Sequence, residues 1–180
     1  STDMLKGTQR QWNMDGGIPL NGNSDIYVSP SRRFALVGPK VSQGGSIKSV
    51  EGAAADKDMT VQGNFSVYNA SSGVLVKTLM TVPGGVSCSA FSPCGKWAAC
   101  VGKKTPGYFS LFLFYSSSGQ WTDASTISSA IVSSNSVTKM AFLGGEASKL
   151  ASPLLMTCNP IGSKGVNFWT LEGNVLVKKI

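Results

Sequence analysis

The chain has 180 residues, 42% hydrophobic and 14% charged, with 16 Lys and Arg against 9 Asp and Glu for a net charge of +7. That length allows one domain with its own core. It contains no His, which excludes a histidine general base, a Ser-His-Asp triad and any His-ligated metal site. Its 21 Gly, many Ser and lack of helical apolar spacing predict an all-β fold of short strands.

The first predicted element surrounds Trp12. There Trp12-Asn13-Met14-Asp15-Gly16-Gly17-Ile18 reads as a strand end followed by a glycine turn. It is a loose copy of a pattern that returns three times. Phe65, Val67, Tyr68 and then Val74-Leu75-Val76-Lys77 match Val166, Phe168, Trp169 and then Val175-Leu176-Val177-Lys178 at a constant offset of 101 positions. Leu111, Leu113, Phe114-Tyr115 and Gly119 form the remaining copy. The anchoring aromatics are Trp12, Tyr68, Tyr115 and Trp169, separated by 56, 47 and 54 residues. This lies near the upper end of propeller-blade periods, roughly 40 to 50 residues. One strand-turn-strand unit cannot bury its own faces, so the repeat implies stacked neighbours.

A second repeat lies between the anchors. Ser29-Pro30, Arg33-Phe34-Ala35 and Val37-Gly38 match Ser92-Pro93, Lys96-Trp97-Ala98 and Val101-Gly102. Each begins as a turn in which proline presets the backbone, and a strand follows. Met140-Ala141-Phe142-Leu143-Gly144 opens the equivalent segment of the third unit, with Leu154-Leu155-Met156-Thr157-Cys158 as its strand.

The predicted architecture is a partial β-propeller of about three four-stranded antiparallel blades plus one outer strand of a preceding blade. Residues 1–24 are assigned to that outer strand and a linker, 25–79 to a blade with a long inserted loop over 39–63, 80–120 to the next blade and 121–180 to the last. Three blades are fewer than the roughly four to eight that close a ring. The frame is cut between repeats and starts at Ser1, so the chain is expected to be a piece of a longer protein that carries further blades.

No constellation for catalysis emerges. The carboxylates are scattered, and the Gly-Gly pairs lack the Lys-Ser or Lys-Thr of a phosphate loop. Cys88, Cys94, Cys100 and Cys158 include no Cys-x-x-Cys pair, so no zinc site is expected. They are expected to be free thiols in a reducing cytosol, with Cys100 and Cys158 buried inside strands and Cys94 more exposed in its turn. The sequons Asn64-Phe65-Ser66 and Asn69-Ala70-Ser71 are short enough to arise by chance. Neither an enzyme activity nor a cofactor nor a bound metal is expected.

Charge is uneven. Residues 1–60 hold seven basic and six acidic side chains, while 61–180 hold nine Lys and three acids. Lys96, Lys103, Lys104, Lys164, Lys178 and Lys179 fall at turns or strand ends, and they are the candidate partner-facing residues. A basic face suits an acidic partner, with ordinary solubilising charge as the alternative. Arg10, Arg32 and Arg33 are the only arginines, and no aromatic-basic stacking stripe accompanies them, so nucleic acid is not expected as the ligand. A membrane is not expected as the partner either.

The outer-strand repeats, Tyr68-Asn69, Tyr115-Ser116 and Trp169-Thr170, resemble Trp-Asp repeats whose terminal Asp is lost. Phe91-Ser92-Pro93-Cys94-Gly95-Lys96-Trp97-Ala98 is similar to their strand-turn-strand signature, with Cys94 where Asp is usual. The closing segment from Val166 to Lys179, through Phe168-Trp169-Thr170 and Gly173-Asn174, resembles the signature of the echinoderm microtubule-associated protein-like family. The likeness covers chiefly residues 61–180. It implies a cytoplasmic, cytoskeletal or ciliary propeller that binds tubulin or microtubules. The family's hydrophobic motif and N-terminal coiled coil are not visible in this sequence. A Trp-Asp repeat scaffold in another multiprotein assembly remains the alternative, followed by part of a propeller enzyme.

Overall fold

The structure is a computed structural model that describes residues 24–41, 63–105, 107–133, 137–143, 153–158 and 165–179. Trp12, Lys164, the expected outer strand before residue 24 and residues 42–62 of the inserted loop lie outside them. The described residues form twelve strands in three four-stranded antiparallel sheets. The first sheet holds β1 (Ser24–Val28), β2 (Phe34–Pro39), β3 (Asn64–Asn69) and β4 (Leu75–Thr81). The second holds β5 (Val86–Phe91), β6 (Trp97–Thr105), β7 (Tyr108–Tyr115) and β8 (Ser125–Ser133). The third holds β9 (Lys139–Leu143), β10 (Leu154–Cys158), β11 (Val166–Glu172) and β12 (Val175–Lys178).

Within each sheet the strands follow chain order, and the first strands of successive sheets lie side by side. On β5, Ser89 Oγ donates to the Asp25 carboxylate of β1 at 3.2 Å. Between the outer strands, the Leu176 amide donates to Ser128 Oγ at 3.0 Å. The sheets therefore stack as successive blades of an open, partial propeller.

Two apolar layers glue the stack, and alternation along each strand sorts residues between them. Phe34, Leu36, Phe65 and Val67 of the first sheet meet Phe91, Ala98, Cys100, Phe112 and Phe114 of the second. On the other side of the second sheet, Ala99, Val101, Leu111 and Leu113 meet Leu155, Trp169, Leu171 and Leu176 of the third. The second sheet is thus covered on both faces, which is why Ala98-Ala99-Cys100-Val101 is one continuous run with no exposed surface. The small side chains of Ala98 and Ala99 let both neighbours approach it.

Three sequence assignments shift. The second sheet takes its fourth strand from Ser125–Ser133, beyond the expected boundary at residue 120, because β8 pairs with β7 from Tyr115↔Ser125 to Phe109↔Ser133. Tyr115 pairs with Trp97, as Asn69 pairs with Phe34, so the counterpart of Tyr68 is Phe114 and not Tyr115. Tyr115 packs against Trp97 in a tilted pair with ring centroids 4.5 Å apart, on the face opposite Phe114. Finally, Cys158, expected as a buried thiol in its strand, is half-exposed, as is Cys94 in its turn, whose Sγ lies 3.2 Å from Ser92 Oγ. Cys88 and Cys100 are buried free thiols, and burial pushes Cys88 up to about 12.

Candidate functional site

Three turns at one end of the stack are built to one plan. They begin at Ser29, Ser92 and Ser116, all buried. In each, the serine Oγ accepts the amide of the residue five positions on, which is aromatic: Phe34 at 3.1 Å, Trp97 at 3.0 Å and Trp121 at 3.1 Å. The serine carbonyl accepts the amide three positions on, from Arg32 at 2.8 Å, Gly95 at 3.0 Å and Gly119 at 3.3 Å. Those same three residues have left-handed backbones, with φ of 57°, 72° and 67°. A buried hydroxyl satisfying a buried amide is what holds each turn, and the proline of the first two is dispensable. The third copy, Ser116-Ser117-Ser118-Gly119-Gln120-Trp121, lacks proline, so the Ser-Pro pattern in the sequence did not reveal it. The spacing of serine, left-handed residue at +3 and aromatic at +5 is the signal that finds all three.

Arg32 is the one non-glycine among the three left-handed positions. An L-residue there pays roughly 1–2 kcal/mol that glycine avoids. Arg32→Gly should raise the unfolding free energy by about 0.5–1 kcal/mol in urea denaturation, after glycine's extra chain entropy is subtracted. Gly95→Ala should lower it by about 1 kcal/mol, since an added Cβ would meet nothing within 4 Å and only the backbone angle is at issue. Equal stability of all three proteins would show that φ at these positions carries no strain.

The turns frame a shallow cleft of about 230 Å³ across the seam between the first two sheets. The residue after each left-handed position lines it: Arg33, Lys96 and Gln120. Arg33 reaches across the seam and donates from Nη2 to Gln120 Oε1 at 3.0 Å, with its guanidinium 5.5 Å from the centroid of the Phe34 ring. Among the described residues the Lys96 ammonium has no hydrogen-bond or ion-pair partner. Ser31, Cys94 and Ser118 complete the wall. Nearby, Lys77 Nζ donates to the Thr122 carbonyl at 3.1 Å, fastening the outer strand of the first sheet to the third turn.

Among the described residues one carboxylate stands beside this cleft. Asp123 accepts the hydroxyls of Ser116 and Ser117 at 2.5 Å each, the Ser118 hydroxyl at 2.8 Å and the Ser118 amide at 2.9 Å. Those donors, the Ser116 hydroxyl foremost, hold its pKa far below the usual carboxylate range. Asp123 is thereby committed to folding the third turn.

The other candidate lysines among the described residues do not line the cleft. Lys104 is exposed and Lys103 is buried at 8% exposure, both near the opposite end of the second sheet. Lys103 is not presented to a partner as the sequence suggested, because its stem lies against Gly84, where even an added Cβ would come within 2.7 Å of it. Lys178 is exposed on β12, and Lys179 pairs with Glu172 at the surface. Asp25 is raised above its usual value by burial, which its bond from Ser89 opposes. No group of three or more Cys, Asp or Glu side chains able to hold a metal occurs among the described residues.

Of the aromatic anchors, Trp169 is buried and its Nε1 donates to the buried Thr157 Oγ1 at 3.0 Å. Tyr68 and Tyr115 are half-buried. Trp121, which the repeat frame passed over, has no exposed surface.

No protein-family model matches the chain, and no curated protein matches it either. The geometry of the turns and of their cleft therefore carries the functional reading.

Proposed function

We propose that the chain is a non-catalytic, protein-binding propeller segment of a microtubule-associated, cytoskeletal protein, with tubulin or microtubules as its partner. The observation that carries this reading is the charge around the serine-capped turns. Among the described residues Arg32, Arg33, Lys77 and Lys96 surround the seam, against one carboxylate beside the cleft, Asp123, whose oxygens accept from serines. Such a surface attracts acidic protein, and the likeness of Val166 to Lys179 to the echinoderm microtubule-associated protein-like signature names an acidic protein of that kind. The non-catalytic reading is supported by the state of the three carboxylates among the described residues. Asp25 is tied to Ser89, Asp123 to three serines and Glu172 to Lys179, and the sequence has no His to pair with any of them.

Microtubule co-sedimentation tests the proposal. The chain should pellet with microtubules at low ionic strength and be released as salt screens the contact, whose Debye length falls from about 10 Å at 0.1 M to about 3 Å at 1 M. Failure to pellet at low salt would sink the microtubule reading. Proximity labelling that returned only non-cytoskeletal neighbours would move the chain to the scaffold of another assembly.

A further inference from the structure

We propose that the cleft between the three serine-capped turns receives the anionic end of a side chain, a carboxylate or a phosphate, from an acidic segment of the protein partner. The inference rests on the reading of the chain as a protein-binding module and adds which atoms make the contact. The Arg33 guanidinium offers a planar fork of donors matched to a carboxylate or phosphate. One nitrogen is held by Gln120 Oε1 and the plane lies near the Phe34 ring, so the fork is oriented before any ligand arrives. Lys96 lines the same cleft with an ammonium that has no partner among the described residues. Ser31 stands at its wall, whereas the Ser118 hydroxyl is given to Asp123.

Size and charge narrow the ligand. At about 230 Å³ the cleft lies below the roughly 300–1,000 Å³ of pockets that enclose a small molecule. It has room for the tip of a side chain whose backbone runs over the turns. Asp123 stays ionised on its serine donors, but it does not line the cleft, where the two cations stand. Arg33 and Lys96 are exposed, so neither is consumed by the core.

Fluorescence anisotropy with labelled peptides tests this. Three peptides of one length, rich in glutamate, in phosphoserine or in glutamine, are titrated with the chain. The first or second should bind and the glutamine peptide should not, and whichever anion binds more tightly identifies the chemistry of the partner's side chain. The double variant R33Q/K96Q should bind the anionic peptide about tenfold or more weakly, the share of charge-assisted hydrogen bonds. The variant K104Q/K139Q, which removes the same charge at the other end of the stack, should bind within about twofold of the parent, since a specific contact does not track net charge alone. Equal losses in the two variants, or an unchanged R33Q/K96Q, would overturn the proposal.

A second measurement needs no substitution. Inorganic phosphate titrated into the isotope-labelled chain should shift the amide resonances of the three turns, around Ser31, Cys94 and Ser118, before others. Shifts spread evenly over the lysine-bearing segments would overturn the assignment even if R33Q/K96Q failed to fold. Anionic peptides that bind in this way while microtubules do not pellet would retire the microtubule reading and leave the cleft standing. Pelleting that survives R33Q/K96Q would do the reverse.

Discussion

Trp121→Ala should lower the unfolding free energy by about 3–5 kcal/mol, the usual loss on truncating a buried large aromatic. Trp121 has no exposed surface and meets Phe91 edge-on at a centroid distance of 5.1 Å. It sits in the layer between the first two sheets with Phe34, Leu36 and Phe114. It is also one of only two non-glycine residues with a left-handed backbone among the described residues, at φ 70°. That angle supplies a sharper test than the size of the loss. Alanine in a left-handed position costs roughly 1–2 kcal/mol that glycine does not, so Trp121→Gly should be as stable as Trp121→Ala or about 1 kcal/mol more stable. At an ordinary strand position the order is reversed. The indole Nε1 is buried and has no acceptor among the described residues, so Trp121→Phe removes that donor while keeping an aromatic ring. It should cost less than either truncation. Urea unfolding of the three variants checks the set, and a Trp121→Ala loss below about 0.5 kcal/mol would place the side chain at the surface instead.

The other large effect belongs to the opposite layer. Trp169→Ala should also cost about 3–5 kcal/mol, because Trp169 is 4% exposed and packs with Leu111, Leu113 and Leu155 between the second and third sheets. It removes a hydrogen bond as well, leaving the fully buried Thr157 hydroxyl without its donor. Trp169→Phe separates these contributions. It keeps most of the apolar area and should cost about 1–2 kcal/mol, the bond plus the stranded hydroxyl. Combining it with Thr157→Val should recover part of that loss, since replacing both partners by apolar groups is close to neutral. A double-mutant cycle with no coupling between positions 157 and 169 would show that the bond contributes nothing.

The two tryptophans also mark what could be read from the sequence. Trp169 was legible because its strand, hairpin and following Val-Leu-Val-Lys run are copied at Tyr68, and the copies became β3–β4 and β11–β12. Trp121 was not, because it follows a Ser-Ser-Ser-Gly stretch that looks like solvent-exposed loop. Its burial depends on the first sheet, whose last strand ends at Thr81. The choice of Tyr115 over Phe114 has a related cause. Two adjacent aromatics end that strand, and a period of two cannot say which faces inward until pairing with Trp97 fixes it. The Ser-rich strand Ser125–Ser133 carries little apolar alternation, so its sequence does not mark it as the fourth strand of the second blade. At the candidate site, Lys96 was legible as a turn cation. Arg33 was not placed with it, because nothing local joins residues 33 and 96; the stacking of two sheets does.

The serine-capped turns separate two jobs that most loops perform together. The hydroxyl at the first position, the left-handed residue at the fourth and the aromatic at the sixth keep the chain's shape. The fifth position, occupied by Arg33, Lys96 and Gln120, contributes no buried side chain and supplies no turn-closing side-chain bond. Those three sites form a small interchangeable keyboard on a fixed frame. Ligand preference at this end of the stack could therefore be rewritten, by drift or by design, with little disturbance to the sheets beneath.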